Sequence, residues 1–172
     1  MTSVALIALA ALTGCTTDGG ASPSAKPNNS SQQESSGPMS VDASKYITVT
    51  GAAGSAPTLG APHGTPPTEL VVSDIYTGNG TAVTAASTLT VHYTLLAWST
   101  GKVVESSWSG GAPATFPLAN VIQGWQQGLP GMKVGGRRLL IIPPSLGYGS
   151  QASGPLAANE TLVFVVDLIA VK

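Results

Sequence analysis

The chain has 172 residues, room for one core of ordinary size plus tails, and only 9% of them are charged, for a net charge of −1. That balance excludes the basic footprint of a nucleic-acid binder. The single cysteine, Cys15, excludes an internal disulfide and a thiolate zinc cluster, while 21 glycines and 13 prolines point to short strands joined by many turns.

The first apolar run, Val4 to Leu12, is too short for a bilayer span of about 20 residues but suits the core of a signal peptide. Leu12-Thr13-Gly14-Cys15 follows and resembles the lipobox of bacterial lipoproteins, in which the chain is cut before the cysteine and the thiol is lipidated. Such a cysteine carries more than one acyl chain, the condition for stable anchoring. From Thr16 to about Ala43 the sequence is Ser-, Gly-, Pro-, Asn- and Gln-rich without apolar periodicity, and cannot bury enough surface to offset its ordering entropy. The expected organisation is a signal peptide over 1–14, a lipidated Cys15 with a disordered linker over 15–44, and a folded domain over 45–172. The expected location is the extracytoplasmic face of the bacterial cell membrane.

Short β-patterned runs then alternate with turn clusters. Tyr46 to Thr50 is the first, and Leu70 to Tyr76 the second, closed by Gly78-Asn79-Gly80. Thr88 to Trp98 alternates, with Leu89, Val91, Tyr93, Leu95 and Ala97 on one face and Thr88, Thr90, His92 and Thr94 on the other. Val103 to Trp108 follows a Ser99-Thr100-Gly101-Lys102 turn. Arg137 to Ile142 and Thr161 to Val171 are apolar on both faces, the pattern of central strands. One helix is expected near Asn120 to Gly128, with Asn120 as N-cap and Val121, Ile122, Trp125 and Leu129 at helical spacing. Roughly six strands and one short helix make an α+β domain with an antiparallel sheet.

Tyr93, Trp125, Tyr148 and Phe164 all point inward with almost nothing ionisable beside them, so their site is an apolar pocket with one or two hydroxyls. No Gly-x-Ser-x-Gly elbow occurs, and two histidines with one modified cysteine leave no hydrolase triad. No ligand cluster supports a metal, and no cofactor is implied. Gly135-Gly136-Arg137-Arg138 precedes a strand and lacks Walker spacing, so it reads as a tight turn with solvated arginines. His92, on the threonine face, reads as a surface or hydrogen-bonded residue and His63 as loop.

Seven short motifs occur in order: Val91-His92-Tyr93-Thr94, Gly101 to Ser107, Val121-Ile122-Gln123-Gly124-Trp125, Gly131 to Gly136, Ile142-Pro143-Pro144, Tyr148-Gly149 and Thr161-Leu162-Val163-Phe164. Together they resemble the FKBP-type peptidyl-prolyl cis-trans isomerases, from about Leu70 to Lys172. The resemblance implies an antiparallel, half-barrel-like sheet wrapped around one short helix, with an apolar pocket between them. It implies Trp125 as the floor for a prolyl ring, and Tyr93, Val104, Phe164 and Leu156 as walls, with Phe116 in support. Val121 and Ile122 then form the rim, where the Ile122 N–H donates to a peptide carbonyl, and Tyr148 supplies a hydroxyl at the mouth. The catalytic set is Tyr93, Glu105, Tyr148 and Phe164, and the implied partners are proline-containing polypeptides and a macrolide-type ligand. A monomer is expected, since nothing in the sequence demands self-association.

The sequence departs from the family pattern at several points. Glu105 replaces the pocket-side aspartate, and its usual arginine partner is missing, with Trp108-Ser109-Gly110-Gly111 in its place. Glu105 is therefore expected to be solvated rather than fixed beside Tyr93. Val104 thins the aromatic wall, Leu95 replaces a glycine, and Ala157-Ala158 replaces a Pro-Pro. These changes leave two functional readings: an isomerase assisting the folding of exported proteins, or a module that grips proline segments with weak turnover or none.

Overall fold

The computed structural model describes residues 42–172. The expected signal peptide, the expected lipobox at Cys15 and the expected linker as far as residue 41 lie outside the described residues. Eight strands and one helix run in chain order: β1 (Val49–Thr50), β2 (Thr58–Leu59), β3 (Val71–Tyr76), β4 (Thr88–Ala97), β5 (Lys102–Ser106), β6 (Ala114–Pro117), α1 (Gln123–Gly128), β7 (Arg137–Ile142) and β8 (Leu162–Val171). The main sheet has the order β3-β7-β8-β4-β5, with β6 also paired to β4, and every pairing is antiparallel.

The doubly apolar runs occupy the centre of this sheet. Every residue of β7 is buried, as are the first seven of β8, because their alternate side chains feed two different cores. On one face Leu140, Ile142, Phe164 and Val166 pack with Tyr93, Trp125 and Leu129. On the other, Leu139, Ile141, Val163 and Val165 pack with Leu96, Ala43 and Ile47. This second face is covered by the chain from Asp42 to Leu59. There Ala43–Lys45 forms a 3-10 turn, started by Asp42, whose carboxylate accepts from the Ser44 N–H. The linker boundary drawn at 44/45 falls inside this turn.

The strand expected over Tyr46 to Thr50 shrinks to Val49–Thr50 and pairs with β2 in a separate two-stranded sheet, not in the main one. The Tyr46 and Ile47 N–H groups are taken by the Ala43 carbonyl of the turn, so these residues offer no ladder. Strand β6, short and flanked by proline, fills the sixth place instead. The two arginines that open β7 are not solvated. Arg137 is fully buried, with Nε donating to both Asp167 oxygens at 2.9 and 3.0 Å. Its other nitrogens reach the carbonyls of Gly51 (3.0 Å) and Ser55 (2.5 Å). Arg138 grips Asp74 and donates to the Gly128 carbonyl at the end of α1. Both arginines therefore find carboxylates contributed by neighbouring strands, and Arg137 bolts the covering segment to the sheet.

Candidate functional site

Strand β4 positions most of the site. Its first half pairs with β6 and its second with β5, so the loop between those two strands, residues 107–113, passes around Tyr93. Ser107 holds that loop: its Oγ accepts the Tyr93 N–H at 2.9 Å and stands 2.9 Å from His92 Nδ1. Trp108 lies flat on the His92 ring, with centroids 3.9 Å apart. His92 is thus a hydrogen-bonded residue of the outer face, away from the aromatic cleft.

Helix α1 presents Trp125 to the sheet. Asn120 does not cap it; Asn120 closes a preceding 3-10 turn, Leu118–Asn120, and Ile122 is the N-cap without any side-chain bond. Val121 is extended between the two helical pieces, which interrupts the single helix expected from the spacing. The amide of Gln126 donates to the Val121 carbonyl at 2.7 Å and fixes this entry segment. Among the described residues no backbone acceptor pairs with the Ile122 N–H. Gly124 and Gly128 let the helix lie close on β7, where a Cβ at Gly124 would fall 2.4 Å from Ile142 Cγ2.

Four rings meet over this floor. Trp125 lies edge-to-face with Phe164 at 5.3 Å, with Tyr93 at 5.9 Å and with Phe116 at 6.1 Å, each within about ten degrees of perpendicular. The cleft they bound has a volume of about 380 Å3 and is completed by Val121 and Ile122 at one side and Tyr148 and Glu105 at the other. That size suits one small ring and its flanking backbone. Trp125 is only 4% exposed, yet it still lines the open space, so the cleft is not filled by the protein's own side chains.

Glu105, although exposed overall, is fixed beside Tyr93: the Tyr93 hydroxyl donates to its Oε1 at 2.5 Å. The sheet explains it. Glu105 stands opposite Leu95, so it shares a face with Leu95 and with Tyr93 two residues earlier. No arginine is needed for this placement. Burial first, then the hydrogen bond to Glu105 and its charge, push the Tyr93 phenol well above its ordinary value, so it stays protonated. The Tyr148 ring is 42% exposed at the mouth, on the loop after the Pro144–Leu146 turn.

Tyr93, Glu105, Phe116, Val121, Ile122, Trp125, Tyr148 and Phe164 thus come together around one space. Val104 and Leu156, expected as walls of the same pocket, line an adjoining hollow instead. The cause is an irregularity in the β4–β5 pairing: Leu95 stands opposite Glu105 but Leu96 opposite Val103, so Val104 is an extra residue that faces the second hollow together with Glu105, and only Glu105 also reaches the cleft. Leu95 and Asn120 also line the cleft and were not singled out; for Leu95 the signal was present, since it alternates with Tyr93. Among the described residues no group of three or more His, Cys, Asp or Glu side chains is placed to hold a metal ion, and no helix is long and apolar enough to cross a membrane.

A family model for FKBP-type peptidyl-prolyl cis-trans isomerase matches residues 79–169. The FK506-binding protein of Streptomyces anulatus is 48% identical over 119 residues, which cover 67% of this chain and 96% of the relative. The probable FK506-binding protein of Corynebacterium glutamicum is 46% identical over 113 residues, covering 66% and 96%. Among solved structures, FkpA from Escherichia coli superposes with a TM-score of 0.58 at 39% identity, over 61% of this chain and 49% of its own. AtFKBP13 superposes with a TM-score of 0.55 at 31% identity, over 61% and 94%.

Proposed function

The chain belongs to the FKBP-type peptidyl-prolyl cis-trans isomerase family and is a peptidyl-prolyl cis-trans isomerase, and we propose that it acts on exported proteins as they fold, by holding a twisted X–Pro amide in the aromatic cleft. Rotation about that bond breaks amide resonance, with a barrier of about 18–20 kcal/mol. The twisted amide is less dipolar than the planar one and loses less on leaving water. A dry cleft that fits the twisted form lowers the barrier by binding it better than the ground state, with no covalent step.

The observation that carries this reading is the composition of the cleft: four rings, a free backbone N–H at Ile122, a phenol at Tyr148, and a carboxylate already engaged by Tyr93. In the proposed arrangement the prolyl ring rests on Trp125, Tyr148 bonds the carbonyl of the residue before proline, and Ile122 bonds the carbonyl after it. Tyr93 and Glu105 hold each other and stiffen the wall. Phe164 closes it. The same surface is proposed to accept a macrolide-type ligand.

A protease-free isomerisation assay on a Leu-Pro peptide tests the reading. Activity should fall roughly two- to tenfold in Tyr148→Phe, the worth of one hydrogen bond of about 0.5–1.5 kcal/mol. Peptide binding with no rate gain in the wild type would instead mark a proline-binding module. We further propose a monomer anchored at the extracytoplasmic face of the cell membrane through Cys15, a reading supported by the Leu12-to-Cys15 motif. Labelled fatty acid should enter the wild type and be absent from Cys15→Ala; equal labelling of both would refute the anchor.

A further inference from the structure

Beyond Tyr148 the aromatic cleft opens into a second hollow of about 320 Å3, and Leu95, Glu105 and Tyr148 form the wall common to both. Val104, Leu156 and Ser153 line the far side. Glu105 is the one charged residue lining either space. Its Oε1 is taken by Tyr93, but its other carboxylate oxygen has no partner among the described residues. The described ion pairs lie elsewhere, Arg137 with Asp167 and Arg138 with Asp74.

From this juxtaposition we infer that the second hollow selects lysine or arginine immediately before the proline, its methylenes along Val104 and Leu156 and its cationic end at the free oxygen of Glu105. The inference rests on the proposed seat of the prolyl ring over Trp125. With that ring in place and the preceding carbonyl at Tyr148, the preceding residue stands at the common wall, and the second hollow is the lined space next to its side chain. A wholly apolar side chain there would strip water from the carboxylate and return nothing. A long cationic one keeps its stem on apolar surface and gives the oxygen a partner. Because Glu105 is exposed, the preference is modest: an ion pair of this kind is worth roughly two- to fivefold.

Three peptides differing only before proline, with lysine, norleucine or alanine, test this on the full chain by isomerisation rate and by NMR titration of binding. The lysine peptide should exceed norleucine about threefold in kcat/KM at low salt, and the ratio should approach one at about 0.5 M salt, where exposed charges are screened within roughly 4 Å. Glu105→Gln, whose amide oxygen still accepts from Tyr93, should abolish the ratio even if overall activity changes. Ser153→Lys, outside the proposed catalytic set, should push it below one. Norleucine equal to lysine in the wild type, or a ratio that survives Glu105→Gln, overturns the inference and leaves the isomerase reading standing. If no peptide is either bound or turned over, both fall together.

Discussion

Arg137→Met offers a direct measure of what the buried charge across the sheet contributes. The substitution removes the guanidinium that binds both oxygens of Asp167 and the carbonyls of Gly51 and Ser55. Those two carbonyls belong to an exposed segment and can turn to water; the carboxylate, 6% exposed, cannot. Breaking a buried pair from one side costs about 3–5 kcal/mol, a large part of the roughly 5–15 kcal/mol that holds an ordinary domain. With a urea slope near ~2 kcal/mol/M the midpoint should drop by about 2 M. Removing both charges, as Arg137→Met with Asp167→Leu, should recover most of that loss, since an apolar replacement of a buried pair is often neutral.

The pH dependence adds a second signature. Burial already raises Asp167 above its ordinary value, and Arg137 works against that rise. Without Arg137 the folded carboxyl is raised further, so the folded state holds the proton more tightly than the unfolded chain. Stability of the variant relative to wild type therefore improves as pH falls from 7 through the raised folded value toward the unfolded one near ~3.9. Hydrogen exchange should show residues 46–60 opening first. A loss under about 1 kcal/mol at neutral pH, or a gap between the proteins that does not narrow on acidification, would refute the reasoning.

Gly124→Ala should destabilise by about 1–2 kcal/mol, because the overlap with Ile142 outweighs the roughly 1 kcal/mol gained in helix propensity; Ile142→Ala should cost less in that background than alone, and strict additivity in a double-mutant cycle by urea titration would count against it. Phe116→Ala removes two edge-to-face contacts and should cost about 1–3 kcal/mol in a thermal melt while raising KM more than it lowers kcat. Above pH ~10 the unfolded Tyr93 phenol ionises while the folded one keeps its proton, so stability should fall as pH rises. That decline should be shallower in Tyr93→Phe, and identical profiles in urea titrations from pH 9 to 11 would contradict the assignment.

The strands with strong periodicity were legible in the sequence. The alternation of β4 and the doubly apolar runs of β7 and β8 reflect how each face is covered, which is a local property of the pattern. Strand β6 was not legible, because four residues ending in proline are too few for their alternation to stand out and pair only when β4 is present. The burial of Arg137 and Arg138 was hidden for a related reason. Their partners lie 30 and 64 residues away and meet them only through strand register. The aromatic cleft emerged from motif order, whereas the place of Val104 in the second hollow depended on the extra residue in β5, and the Tyr93–Glu105 bond on the register that sets Glu105 opposite Leu95.

Because the segment from Asp42 to Leu59 packs through Ala43 and Ile47 on the side of the sheet away from Trp125, a pull on that segment would be borne by the rear of the domain. The four rings of the cleft would keep their places against one another, since none of them belongs to the cluster in which that segment packs.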